Sequence, residues 1–181
     1  MPVITCQYQS PLGAMTLACE GDALVGAWFN GQRYFGAGLP EQAMEGETPV
    51  LAEAADWLDA YFAGKQPGHT PRLAYGSTPF RHAVSDAMLE IPYGQTLTYG
   101  ELGNRAAAML GQARTSARAV GGAVGHNPLS IFIPCHRVMG AHGYLTGYAG
   151  GIERKIALLR LEGVDVDALR LPKDRTRSTA N

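Results

Sequence analysis

Cys135, His136 and Arg137 stand together at the end of an apolar run, Ile131-Phe132-Ile133-Pro134, and are followed by Val138. A thiol reacts near neutral pH only with a lowered pKa or a base beside it. An imidazole and a guanidinium at the next two positions are candidates for both. The competing reading is a small buried cysteine in a core strand, where free cysteines commonly sit. If the run is a strand, Cys135 and His136 point to opposite faces, so a working pair needs a turn after Pro134 or a bridging water. Cys6 and Cys19 are the other two thiols; they read as strand cysteines, because no short metal-ligand spacing accompanies them.

Such residues need a scaffold, and the composition bounds it. At 181 residues, 46% hydrophobic and 17% charged, the chain can build one good core or two small ones. A net charge of −1 excludes a global positive field, so any nucleic-acid role must rest on a local group of arginines. Three cysteines are too few for a secreted disulfide framework, and free thiols favour a reducing compartment. With no leader-like start and no apolar run of membrane-spanning length, a soluble cytoplasmic protein is the expectation.

Val3 to Phe29 reads as three short antiparallel strands, turned at Ser10-Pro11-Leu12-Gly13 and at Gly21-Asp22. Leu51, Ala54, Ala55, Leu58, Tyr61 and Phe62 form one helical stripe ending at Gly64, which would cover that sheet. Residues 36–49 read as loop, residues 64–71 as a linker, and His69 and His82 as surface histidines. Thr78-Pro79 opens a helix that keeps its period to Ile91. Thr98 and Glu101 make a capping-box start for a further helix reaching Ala108. A break at Gly111-Gln112 and a second helix from Thr115 to Val124 fit a helix-turn-helix. Arg114 precedes that helix and Arg118 projects from it. Its small residues suit either a groove or close helix packing. Asn127-Pro128 ends it, and Asn127 can cap a turn or tie the helix pair to the cysteine segment. Residues 140–151 hold five glycines without Walker spacing, so no phosphate cradle is expected. Ile152, Ile156, Leu159 and Glu162 mark a last helix closed by Gly163, and from Asp165 onward the chain reads as a loose tail.

Several of these stretches recur together in a known family. Ala117 to Ala123, Asn127-Pro128, Ile133 to Val138, Gly147 to Gly151 and Leu158 to Gly163 resemble, in this order, the methylated-DNA–protein-cysteine methyltransferases, also called O6-alkylguanine-DNA alkyltransferases. The resemblance is strong over Thr78 to Gly163. It implies an α+β fold: an N-terminal ribonuclease H-like domain with a small antiparallel sheet and helix over 1–70, then a mainly helical, winged-helix-like domain containing the helix-turn-helix over 71–165, and a tail over 166–181. The implied activity is direct-reversal repair: an alkyl group passes from O6 of a flipped-out guanine, or O4 of thymine, to Cys135, once per molecule, with no cofactor and no metal.

The resemblance also implies roles. His136 deprotonates Cys135 through a water, Glu162 holds the imidazole, Tyr99 donates to N3 of the base and crowds the neighbouring phosphate, and Asn127 is the hinge. Arg118 fills the gap left by the flipped base, and Ala117, Ala119, Gly121, Gly122, Tyr99 and Arg114 face the minor groove. Val138, Tyr148, Ala149 and Gly150 line the pocket; Ala149 stands where some relatives carry serine, so backbone amides of Tyr148 to Gly150 take over the hydrogen bond to O6. The implied partner is double-stranded DNA containing O6-alkylguanine, bound by a monomer that can cluster along DNA, without membrane contact. Residues 103–112 are longer than in typical relatives, which leaves the length of the first helix of the pair open, and Arg137 suits a buried ion pair as well as DNA. A non-catalytic lesion binder is argued against by Cys135 itself, and a cysteine hydrolase by the lack of any local signature.

Overall fold

The computed structural model describes residues 1–171 and opens with β1 (Val3–Ser10), β2 (Gly13–Glu20) and β3 (Ala23–Phe29), an antiparallel meander. Residues 36–49 are not all loop: β4 (Met44–Glu45) pairs in parallel with β1, which gives the order β3-β2-β1-β4. α1 (Pro49–Phe62) starts where Thr48 accepts from the Leu51 amide and Pro49 pre-sets the first turn. Its buried face, Val50, Leu51, Ala54, Leu58 and Tyr61, lies on Met15, Leu17 and Phe29 of the sheet. Each such large side chain taken from water contributes about 1.5–3 kcal/mol, and this is what fixes α1 to the sheet.

β3 is a sheet edge, and the rest of the chain covers it. Leu24 bridges to Leu73 and Ala27 to Leu129, so backbone after the linker and backbone just ahead of the cysteine both continue the sheet. Covering an edge removes its unpaired amides and carbonyls from solvent.

The second domain is helical. α2 (Pro79–Leu89) is capped by Thr78. It ends short of the expected Ile91, because Pro92 disfavours helical dihedrals just ahead of itself. β5 (Leu97–Thr98) leads into α3 (Tyr99–Met109), whose capping box is complete: the Thr98 hydroxyl accepts from the Glu101 amide and Glu101 accepts from the Thr98 amide at 2.8 Å. α4 (Ala117–Gly125) is capped by Ser116 and packs on α3 and α2. β6 (Val138–Met139) pairs in parallel with β5, and α5 (Ile152–Leu161) closes the domain. The longer stretch at 103–112 forms most of α3 and the start of its turn.

Two expectations need correction here. Residues 131–138 are not a strand; the only regular structure before β6 is a 3₁₀ turn at Cys135–Arg137. An apolar run bounded by proline does not distinguish a buried strand from a buried loop. The tail is also partly built: Val166 is buried against Met139, Leu145 and Leu159, and the Arg170 amide donates to the Gly143 carbonyl at 2.9 Å. The remainder of that tail, 172–181, lies outside the described residues.

The α3–α4 contact depends on Gly103. A Cβ there would lie 2.8 Å from Thr115 Oγ1, the hydroxyl that donates to the Gly103 carbonyl, and 3.3 Å from Val120. Gly103→Ala gains about 1 kcal/mol of helix propensity but overpacks the contact at a cost of about 1–3 kcal/mol. Its urea midpoint should fall, whereas Gly121→Ala on α4, where a Cβ meets nothing within 4 Å, should raise it. Equal shifts in the two variants would contradict this packing.

Candidate active site

The segment that carries Cys135 is held under strain. Ile131 has φ +73°, a left-handed conformation that costs a β-branched residue about 1–3 kcal/mol. Asn127, buried just past the end of α4, holds the loop in place. Its Oδ1 accepts from the Leu129 amide at 3.0 Å, and its Nδ2 donates to the Ile133 carbonyl at 2.8 Å and to Cys135 Sγ at 3.1 Å. The sheet edge supplies the other anchor: Ala27 donates to Pro128 at 2.8 Å and accepts from Ser130 at 2.9 Å. Both alternatives read for Asn127 are therefore present, a turn cap and a tie from helix to thiol.

The turn after Pro134 removes the strand alternation, with the Cys135 amide donating to the Ile133 carbonyl at 2.8 Å. His136 is fully buried, with Nε2 2.6 Å from Glu162 Oε1. A carboxylate can only accept, so Nε2 carries the hydrogen and Nδ1 is left as the lone-pair nitrogen. His136 Nδ1 is buried without a protein partner. Glu162, the residue that ends α5, also accepts from Arg137 Nε at 2.8 Å and Nη2 at 3.0 Å. Arg137 donates further to the Ile91 carbonyl at 2.6 Å, so its guanidinium is committed to a structural ion pair. The Gly94 amide reaches Glu162 Oε2 at 3.1 Å; with φ +75° and only 2.8 Å between its Cβ position and the Glu162 carbonyl, that approach is open to glycine alone.

These contacts set the proton inventory. Burial alone would raise the Glu162 carboxyl, but the hydrogen bonds and charges of His136 and Arg137 outweigh it and hold the pKa down to about 2. Burial pushes the His136 imidazole down, against the Glu162 hydrogen bond and charge, and Arg137 and Lys155 push it further the same way. Burial raises the Cys135 thiol, and the Asn127 hydrogen bond, the Lys155 charge and the backbone amides of Cys135 and His136 only partly offset that. The resting group is thus a protonated thiol with a neutral base available, not the thiolate that cationic neighbours alone suggest. Lys155, missed by the sequence reading, is buried, donates to the Val138 and Thr146 carbonyls, and is lowered to about 8 by burial.

A recess of about 410 Å³ opens between Tyr99, the small residues of α4, and the 147–149 loop. Gly121 and Gly122 line it, and a Cβ on either would meet nothing within 4 Å, so they are not close-packing glycines. Tyr99, first residue of α3, lies beside Thr146 and Cys135. Tyr148 is on the wall with its hydroxyl buried and without a protein partner, as is the neighbouring Thr146 hydroxyl. Ala149 lines the recess and its carbonyl accepts from the Arg33 amide at 3.1 Å. Gly150 lies against the Tyr148 ring, 2.6 Å from its Cβ position, and makes room for it. Ala117, Arg118 and Ala119 are exposed on α4, and Arg114 is exposed just ahead of it. Val138 is not brought to the recess: it is fully buried in the β5–β6 pair and contributes its carbonyl to Lys155. The sequence reading also missed Tyr61, Gln32 and Arg154, which reach the site from other elements. Gln32 accepts from Ser130 at 3.3 Å, and Arg154 joins the Gly150 carbonyl to that of Leu12. A buried tyrosine in a core stripe was the one available signal, since its hydroxyl must find a partner.

Comparison with known proteins bears on this arrangement. Residues 79–164 match the family model of the 6-O-methylguanine DNA methyltransferase DNA binding domain, and residues 4–68 that of its ribonuclease-like domain. The chain is 44% identical over 156 residues to the methylated-DNA–protein-cysteine methyltransferase of Mycobacterium tuberculosis, covering 84% of this chain and 88% of the relative. It is 49% identical over 155 residues to that of Methanosarcina barkeri, covering 85% and 93%. In structure it is similar to M. tuberculosis OGT solved in complex with DNA, with a TM-score of 0.75, 41% identity, and 92% and 94% of the two chains covered.

The buried Glu162–His136 pair makes stability fall with acid in two stages. His136 is lowered in the folded protein, so as pH drops through about 6.5 the unfolded chain binds the proton first and stability declines. Glu162 is held at about 2 in the folded state, so its contribution, roughly 3 kcal/mol, is present above the unfolded carboxyl value and is lost as pH falls towards 2. Glu162→Gln should be about 3–5 kcal/mol less stable at pH 7, with Arg137 left uncompensated, and should flatten the lower stage in urea midpoints measured against pH. A variant that kept the full low-pH loss would contradict the assignment.

Proposed function

The chain belongs to the 6-O-methylguanine DNA methyltransferase family, whose activity is alkyl-transfer repair of DNA, and from that premise we propose that Cys135 is its alkyl acceptor and His136 its base. One observation supports this most directly: a buried thiol tied by Asn127 is adjacent to an imidazole whose Nε2 is committed to Glu162 and whose Nδ1 is free.

The thiol proton passes to His136 Nδ1 through a water admitted with the substrate. Cys135 Sγ then forms a bond to the alkyl carbon as the carbon–O6 bond of guanine breaks. The electron pair goes to the purine, where a hydrogen bond from Tyr99 to N3 and backbone amides of the 148–150 loop at O6 stabilise it. In net terms the thiol proton ends on a ring nitrogen of guanine, and O4-alkylthymine presents the same bond. A thioether has no route back to a thiol here, so each molecule acts once. No cofactor is required, because the lesion itself is the donor.

Double-stranded DNA containing O6-alkylguanine is the partner, met by the exposed face of α4. Arg118 enters the duplex and offsets the few kcal/mol that a flipped base loses in stacking. Ala117, Ala119, Gly121 and Gly122 let the helix lie close to the groove, and Arg114 meets phosphate. Tyr99 crowds the phosphate beside the lesion and so favours rotation of the nucleotide. The domains divide near residue 70, the protein acts as a monomer that can cluster along DNA, and its free thiols suit the cytoplasm.

Mixed with a duplex carrying one O6-methylguanine, the protein should gain one methylene mass, mapped to Cys135 and saturating at one per chain. Cys135→Ser should bind the duplex and gain none. Unchanged mass in the parent protein would sink the reading. Arg118→Ala should slow transfer at saturating duplex by roughly tenfold or more while keeping the single-turnover stoichiometry; an unaltered rate would remove Arg118 from base flipping.

A further inference from the structure

Glu162 Oε1 accepts from a group that the pairing with His136 does not require. Tyr61, in the last turn of α1 and only 1% exposed, donates its hydroxyl to that oxygen at 2.7 Å and lies 3.4 Å from His136 Nε2. Its ring is wedged in place, stacked on Trp57 at 5.6 Å and set edge-on to Tyr93 at 6.2 Å and to His136 at 6.5 Å. Phenylalanine would fill the same volume, so packing alone does not call for the hydroxyl. Burial and the Glu162 charge push the Tyr61 phenol far up, so it keeps its proton and can only donate to the carboxylate.

We propose that Tyr61, supplied by the N-terminal sheet domain, is a positioning residue for alkyl transfer. By donating to Glu162 Oε1 beside His136 Nε2, it keeps the imidazole neutral with Nδ1 as the basic nitrogen. The inference rests on His136 being the base of the reaction. Three donors share the charge of Oε1, namely His136 Nε2, Arg137 Nη2 and the Tyr61 hydroxyl, so the phenol lessens what Glu162 offers an imidazolium. Every other charged or titratable neighbour is accounted for: Arg137 on both Glu162 oxygens and Lys155 behind Cys135 disfavour the imidazolium, while the Cys135 thiol and the Tyr93 and Tyr148 phenols stay neutral. Glu162 alone favours the cation, and Tyr61 restrains it. The N-terminal domain is thereby part of the reactive site and more than a brace for it.

The test is Tyr61→Phe, with single-turnover methyl transfer followed from about pH 5.5 to about pH 9 and the His136 imidazole titrated by ¹⁵N NMR in alkyl-free protein. Removing a hydrogen bond to a charged group should raise the His136 titration and the acid limb of the rate by about one pH unit. Transfer on that limb then falls about tenfold, while the plateau stays within about twofold. Equal rate loss at every pH with an unmoved His136 titration would make Tyr61 purely structural and overturn the proposal. Incorporating 3-fluorotyrosine at position 61 keeps the ring and strengthens the donor, so both quantities should move down. If Tyr61→Phe fails to unfold cooperatively, this substitution decides alone, and an unmoved limb counts against the proposal. If the parent protein takes no methyl group, it is the alkyl-transfer reading that fails, and the NMR titration still tests the link from Tyr61 to His136.

Discussion

A single buried carboxylate organises this molecule. Glu162 accepts five hydrogen bonds: from His136, twice from Arg137, from the Gly94 amide and from Tyr61. The donors come from α1, the turn after α2 and the turn that carries the cysteine, while Glu162 itself ends α5. A buried charge is tolerated only when it is paired and its lone pairs are satisfied. Each of those elements must therefore be in place before Glu162 can be buried at all. The same requirement that assembles the fold also orients the His136 ring, because the nitrogen committed to Glu162 leaves the other one free.

The cysteine loop meets a different constraint. A buried loop must find partners for its backbone groups without the help of a ladder. Here one side chain, Asn127, satisfies two loop groups and touches the sulfur, while the edge of β3 satisfies Pro128 and Ser130. Those anchors offset the strain at Ile131. The N-terminal sheet thus supports the site through two routes, by its edge at Ala27 and through its covering helix at Tyr61. This accounts for why a small sheet with no chemistry of its own accompanies the helical domain.

What could be read from the sequence divides along the same physical line. Thr78 and Thr98 act on their own next turns, and the helices they open are legible because capping is local, whereas α1 is legible from its apolar stripe and the caps at Thr48 and Ser116 are seen only in the structure. Cys135, His136, Asn127 and Glu162 were legible as a set only through the resemblance of their segments to a known family. The structure brings these four residues together, and their individual roles rest on the proposal above. The run at 131–138 was misread as a strand because hydrophobicity reports burial and not backbone shape. Tyr61 was visible only as one member of a core stripe; its partner lies 101 residues away, beyond any local pattern. The direction of the Cys135 shift was hidden for a related reason: adjacent cations suggest a lowered thiol, and only the degree of burial reverses that.

The charge distribution shows how a chain of net −1 can still address DNA. Arg72, Arg105, Arg137 and Arg160 are each set against a carboxylate, so their fields are largely cancelled. Among the described residues, Arg114 and Arg118, like Lys65, Arg33 and Arg81, are exposed without such a partner, and these two lie on or just ahead of the one helix whose glycines leave open space beside them. A local positive face requires unpaired cations in one place, not an excess of cations overall. Near the thiol, the Tyr148 and Thr146 hydroxyls and His136 Nδ1 are buried without a protein partner. The strained loop at Asn127 joins α4, which carries the exposed Arg118, to the thiol of Cys135.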